Sequence, residues 1–410
     1  MNDREIMRGL ARQYMEIASD PVQDQRREAW TRFHGMQDRQ GRVYAMRFGV
    51  NELFSPDVLQ CEDPFFRTYE KELRAAIYHH GFGDDVITEP YLTMPCEYDP
   101  PFDLRWGVPC DMGERPDRVG AASFDPHILD ESDLDKLIMP SHQINEAKTK
   151  ENFEKLSEAI GDILPIDLNR GPCLLTWTGD ISTDLCKLHG LENMLWSLYD
   201  QPEFLKKLIE FMAEAVEKVQ REAEEAGDWS LSNTYNQSMP YAPEVKPPKA
   251  NQYGAKRKDL WCFFSAQEFA MVGGDMFEEF MLRYQIPIME QFGLSAYGCC
   301  EDITQKIKYL RRIKNLRRIG VSPFSDVKQC AEQIGSDYIV SYRPNPATFI
   351  AKGINEDYVR AELRKQLDIL QQNGCYVEVE YKDVETVNHD PNAMARLIQI
   401  TREELERAGY

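Results

Sequence analysis

Apolar positions along this chain recur in two alternating rhythms, clearest in its second half. Short apolar segments at Trp229–Tyr235, Leu260–Phe264, Arg318–Pro323, Tyr338–Pro344 and Tyr376–Asp383, and another opening at Leu294, each run into polar loops. Between them lie stretches with apolar residues three and four apart, the spacing of a helix with one buried face. The clearest helix has Asp200 as its cap and Pro202 in its first turn. It carries Leu205, Leu208, Ile209, Met212, Val216 and Val219 on one face and stops at Gly227. Asn355 and Glu356 open another, with Val359, Leu363, Leu367 and Leu370, stopped by Gly374. Strands alternating with helices predict parallel βαβ units, because parallel strands need long crossovers.

The first half is less regular. Ile6, Leu10, Tyr14 and Ile17 fall at helical spacing, so residues 1–40 are expected to be an N-terminal helical extension, a cap or a homodimer contact. Arg42–Val50, Val86–Met94 and Pro172–Trp177 are expected strands, while Pro95–His142 is dense in Pro, Gly and Asp without a period. A loop that long is usually functional or a lid. The strand count comes to about eight, which makes residues 41–410 an α/β fold of the (β/α)8 TIM-barrel type. In such a barrel the chemistry sits on the loops after the strands.

Composition narrows the function. Lys+Arg number 48 against 69 Asp+Glu, a net charge of −21. That balance argues against nucleic-acid or anionic-membrane partners, which are held by basic patches. The charged start and the lack of an 18-residue apolar run predict a cytoplasmic protein without a spanning helix. Its ten cysteines are then expected to be reduced, serving as core residues, metal ligands or nucleophiles. No phosphate loop, His-Glu-x-x-His or Gly-x-Ser-x-Gly signature is present.

The strand ends hold the candidate chemistry. The run from Leu294 ends in Cys299, Cys300, Glu301 and Asp302. Thiolates and carboxylates suit Zn²⁺; equally, one cysteine packs in the core while Glu301 caps the next helix. Neighbours on an extended strand point to opposite faces, so one of Cys299 and Cys300 is expected at the barrel mouth. Glu378, Glu380 and Lys382 share a face by the period of two, and inward charges are either functional or paired, Lys382 with a nearby carboxylate. Glu268, Asp383, Asp180 and Asn233, and Arg343 and Asn345 in Arg-Pro-Asn-Pro, are further strand-end polar groups. Arg343 has the geometry to hold a substrate carboxylate through two bonds.

The run Gly190-Leu-Glu-Asn-Met-Leu-Trp-Ser-Leu-Tyr-Asp-Gln-Pro-Glu203, the segment Phe277–Tyr284 with Pro287, and the strand ending in Gly-Cys-Cys-Glu resemble the uroporphyrinogen decarboxylase superfamily. The resemblance spans roughly residues 170–408 and implies a (β/α)8 barrel. It also implies either tetrapyrrole decarboxylation or zinc-dependent methyl transfer involving a corrinoid protein. The decarboxylases' Arg-Gln-Ala-Gly-Arg has no match around Arg47-Phe48-Gly49. Where the methyltransferases carry His-x-Cys and a last Cys, this chain has Gly298-Cys299-Cys300 and Lys382-Asp383.

Strand ends and resemblance together point to a methyltransferase acting with a corrinoid protein on a small methylated substrate. In that reading Glu268, Lys382 and Asp383 are catalytic, and Cys299, Cys300 and Glu301 surround a zinc ion. Trp177, Asp180, Asn233, Arg343 and Asn345 line the substrate. The alternatives are a metal-independent decarboxylase of a carboxylated small molecule or tetrapyrrole, and a tetrapyrrole- or corrinoid-binding protein without turnover.

Overall fold

Among the described residues, eight short strands follow one another. They are β1 (Arg42–Ala45), β2 (Leu92–Pro95), β3 (Ile166–Asn169), β4 (Trp261–Phe264), β5 (Leu294–Tyr297), β6 (Leu316–Val321), β7 (Ile339–Tyr342) and β8 (Tyr376–Tyr381). The computed structural model describes residues 2–46, 48–110 and 125–410. Arg47 and residues 111–124 of the long Pro95–His142 stretch lie outside the described residues.

All pairs between these strands are parallel. One sheet runs β1-β8-β7-β6-β5-β4, and β2 pairs with β3 in a second. The β1–β8 pairing brings the first strand beside the last, as a (β/α)8-type ring requires. The ring is interrupted twice. At the free edge of β1, side chains replace a strand: the Asp85 and Asp84 carboxylates accept the Val43 and Ala45 N–H groups at 2.9 and 3.0 Å. Edges left without such partners would be open to pairing with other chains.

The second gap corrects an expectation. Trp229–Tyr235 makes no ladder strand; Ser230 forms an isolated bridge with Tyr253 and Leu231–Asn233 is a single 3-10 turn. Asn233 is the reason: its side-chain oxygen takes the Ser230 N–H at 2.7 Å, a local bond that competes with sheet pairing. The segment still bridges the sheets, since Asn233 donates to Asn169 at 2.7 Å and Trp261 N–H donates to Thr234 Oγ1 at 2.9 Å.

Pro172–Trp177 is not a strand either. Its place beside β2 is taken by Ile166–Asn169, and the apolar run turns into a 3-10 turn at Thr176–Thr178. Pro172 lacks the N–H that a ladder needs, and the Thr178 hydroxyl closes the turn on the Cys173 carbonyl at 2.6 Å. The helix Pro202–Ala226 ends at Gly227 in the left-handed region as expected. Its cap position is Gln201, because Asp200 finishes the preceding helix Leu191–Asp200.

Alternation along the strands sorts the interior from the helix-facing shell. Val43, Ala45, Val340, Val377, Val379 and Tyr381 join the core between strands and helices. Trp261, Phe263, Leu294 and Ala296 form a separate apolar cluster with Cys299. The N-terminal helices do two jobs. Asp3–Ala18 packs with Pro64–His80, Glu146–Ile160 and the β2–β3 pair. Val22–His34 brings Trp30 and Phe33 against Tyr44, Ile339 and Tyr376, near the starts of the strands.

Candidate active site

Above that floor the remaining inward positions are charged. Arg318 on β6 is fully buried and donates to Glu378 (from Nε), Glu380 at 2.9 Å, the Tyr44 hydroxyl at 2.8 Å, the Ser341 hydroxyl at 2.5 Å and the Asn236 carbonyl at 2.9 Å. Higher up, Arg343 donates to Glu380 at 2.8 Å, to Gln237 Oε1 at 2.6 Å and to the Cys299 carbonyl. The row Glu378, Glu380, Lys382 therefore lies on one face as expected. The glutamates' partners, however, are Arg318 and Arg343, and Lys382 goes to a thiol. One oxygen of Glu380 keeps no hydrogen-bond partner.

Burial alone would raise the Glu378 pKa, but the Arg318 charge and His34 hold it down to about 2. A carboxylate with a depressed folded pKa stabilises the fold above its unfolded value of 4.5 and loses that contribution as pH falls towards 2. Glu378→Gln is accordingly expected to be less stable than wild type at neutral pH, with the gap closing between pH 4.5 and 2. Urea unfolding across that range checks this; a constant gap would contradict it.

At the carboxyl end of β5 the chain bends sharply. Gly298 adopts φ 101°, and β5 and β6 approach so closely there that a Cβ on Gly320 would collide with the Gly298 carbonyl oxygen. Glu301 fixes the bend from inside: its two oxygens accept the Cys299 N–H at 2.7 Å and the Ala266 N–H at 2.9 Å. The consequence overturns the rule for extended neighbours. Both sulfurs turn together, with Cys299 Sγ 3.4 Å from Cys300 Sγ. Gly320→Ala is expected to cost about 1–3 kcal/mol, as overpacking of a tight contact does, read as a lowered urea midpoint.

Lys382 Nζ donates to Cys299 Sγ and also stands 4.9 Å from the centre of the Trp177 ring. Cys300 Sγ lies 3.5 Å from Asp383 Oδ2. The Cys299 thiol is lowered to about 7, first by the hydrogen bond with Cys300; burial opposes this and the Arg343 and Lys382 charges assist it. Cys300 moves the other way, pushed up by the same bond and by burial. Cys299, Cys300, Lys382 and Asp383 line a cavity of about 140 Å³ together with Asn345, Arg343, Pro323 and the exposed Phe324; Trp177 is not part of its lining. At roughly 30 Å³ per water, it has room for about five.

Other expected residues fall elsewhere. Asp180 and Glu268 form a second buried group, where Ser265 donates to Asp180 at 2.9 Å and Ser182 to Glu268 at 2.7 Å. Burial, then the Glu268 charge, pushes Asp180 well up; burial also raises Glu268. Asn233 is spent on Asn169 and Ser230 and does not line the cavity. All three guanidinium nitrogens of Arg343 already have protein partners, which makes it a positioning residue rather than an open clamp. Arg318, Tyr44 and Gln237 were not anticipated. The one available signal was the arginine pair Arg317-Arg318 in β6, on a sheet whose β8 carries alternate glutamates.

The donor set around the two cysteines does not suit zinc. Glu301 is turned away to backbone N–H groups, and an ammonium already occupies the side of Cys299 where a cation would sit. Among the described residues, no group of three or more His, Cys, Asp and Glu is arranged to hold a metal ion. The residues present do not fit that ion.

No family profile and no curated protein matches the chain. Solved structures do match. A methyltransferase from Methanosarcina mazei is similar with a TM-score of 0.52 and 13% sequence identity, over 93% of this chain and 99% of that one. At such identity the likeness speaks for the fold, and the chain is a (β/α)8-barrel-like protein sharing that architecture over nearly its whole length.

Proposed function

We propose that this chain is a methyltransferase of the uroporphyrinogen decarboxylase superfamily that takes a methyl group from a small substrate, with Lys382 and Cys299 at its reaction centre. The observation that carries the reading is an ammonium–thiol pair lining a small cavity at the carboxyl end of the strands. The barrel likeness to a methyltransferase and the Gly-Cys-Cys-Glu motif support it.

Methyl transfer leaves negative charge on the atom that loses the methyl group. Lys382 donates a hydrogen bond or a proton to that atom, which makes it a better leaving group, and the Cys299 sulfur holds the ammonium in place. General-acid assistance of this kind is typically worth about 10²–10⁴ in rate. Trp177 confines the ammonium from the other side. Arg343 holds the Cys299 carbonyl, and through Glu380 it is tied to Arg318, so the bend carrying the sulfurs is anchored to the barrel wall. A corrinoid carried by a partner protein would supply the methyl acceptor. The exposed Phe324 and Met271, on the loops after β6 and β4, give this end apolar surface for such a partner.

The test uses free reduced cobalamin as acceptor and a panel of methanol, methylamines, methyl thioethers and methoxylated acids as donors. Formation of methylated cobalamin supports the proposal. No methyl transfer from any donor, with CO2 released from carboxylated compounds instead, would replace it with the decarboxylase.

A further inference from the structure

The proton chemistry above acts through the Cys299 sulfur beside Lys382, yet the bend brings both sulfurs to one side. We infer that Cys299 and Cys300 form a reversible vicinal disulfide, making the cavity a site of oxidative modification by peroxides.

Four observations carry this. The sulfurs are already 3.4 Å apart and need only close to the usual bond length of roughly 2.05 Å. The bend that brings them together is held at three points: the Cys299 N–H by Glu301, its carbonyl by Arg343, and its sulfur by Lys382. Both cysteines line the cavity, and among the ten cysteines Cys300 alone is not fully buried, so a molecule as small as hydrogen peroxide reaches them. Their surroundings are unequal, with Cys299 beside an ammonium and Cys300 beside the Asp383 carboxylate. That inequality divides the labour between an attacking and a resolving thiol.

The Cys299 thiolate attacks one peroxide oxygen, the O–O bond breaks, and the sulfur is oxidised to a sulfenic acid. The departing hydroxide takes a proton from Lys382 and leaves as water. Cys300 sulfur then attacks Cys299 sulfur; the S–S bond forms, the S–O bond breaks, and the hydroxyl leaves with the Cys300 proton as a second water. Neighbouring Cα atoms are about 3.8 Å apart, below the roughly 4.4–6.8 Å span of ordinary disulfides. The bridge is therefore strained and is readily reduced again by thiols.

The inference stands whether or not the barrel transfers methyl groups, because its test reads mass and not turnover. Full-length reduced protein is treated with hydrogen peroxide at neutral pH, unfolded, alkylated and cut with trypsin. The peptide Tyr284–Lys306 contains these two cysteines and no other. It is expected to lose two hydrogens, to resist alkylation, and to regain both thiols with dithiothreitol. Cys300→Ser is expected to stop at a sulfenic acid on Cys299 that dimedone captures. A peptide that stays a dialkylated dithiol, or that gains oxygen without bridging, overturns the inference. So does equal dimedone capture in Cys299→Ser and Cys300→Ser.

Discussion

Arg318→Met is expected to cost about 3–5 kcal/mol of stability, the range seen when one partner of a buried ion network is removed. The methionine fills similar space, so a cavity is not the cause. The cost arises because Glu378 loses its main cationic partner and Glu380 keeps only Arg343, both inside a barrel that excludes water. Arg318→Lys is expected to recover only part, since an ammonium has three donors and the guanidinium has five partners here. Replacing Arg318 and Glu378 together by apolar residues is expected to cost less than Arg318→Met alone, because Glu380 still has Arg343 and no unpaired charge remains. Urea unfolding of the three variants checks the order; a loss under about 1 kcal/mol for Arg318→Met would show the network to be water-accessible.

The second large effect concerns reactivity. Cys299 is expected to alkylate with iodoacetamide along a profile centred near pH 7. In Lys382→Met the profile is expected to move upward, slowing the reaction at pH 7 about tenfold, one pKa unit's worth. The sign follows from the charge: an ammonium against the sulfur favours the thiolate, and its loss favours the thiol. Site-resolved mass spectrometry of the peptide carrying both cysteines reads the rate. An unmoved profile would mean that the Cys300 hydrogen bond and the Arg343 charge set the thiol without Lys382.

Much of this architecture could be read from apolar spacing. Strands β1, β4, β5, β7 and β8 fall within the expected segments, and β6 overlaps its segment but begins two residues earlier, at Leu316, because each is a short run with apolar positions bounded by polar loops. β3 was missed because Ile-Asp-Leu-Asn is four residues long with two polar ones, while the more apolar Pro172–Trp177 beside it looked stronger. What decides between them is tertiary: which segment lies next to β2. Cys299, Cys300, Arg343, Asn345, Lys382 and Asp383 were legible because strand-end position alone brings them to one mouth.

The direction of the side chains was not legible. Extended geometry separates neighbouring cysteines, and only the Gly298 bend with Glu301 beneath it reunites them. Arg318 was hidden for a related reason. Two adjacent arginines near the start of a strand look solvent-facing, and Arg318 becomes internal only once the sheet curls into a ring.

Lys382 is the residue proposed to act at the reacting atom. The direct measurement is the kcat for methyl transfer to free reduced cobalamin by wild type, Lys382→Met and Lys382→Arg, with a donor that the panel shows to be active. Loss of about 10²-fold in the methionine variant, partial recovery in the arginine variant and an unchanged KM are the expected result. Equal kcat in all three would contradict it and place the chemistry elsewhere in the barrel.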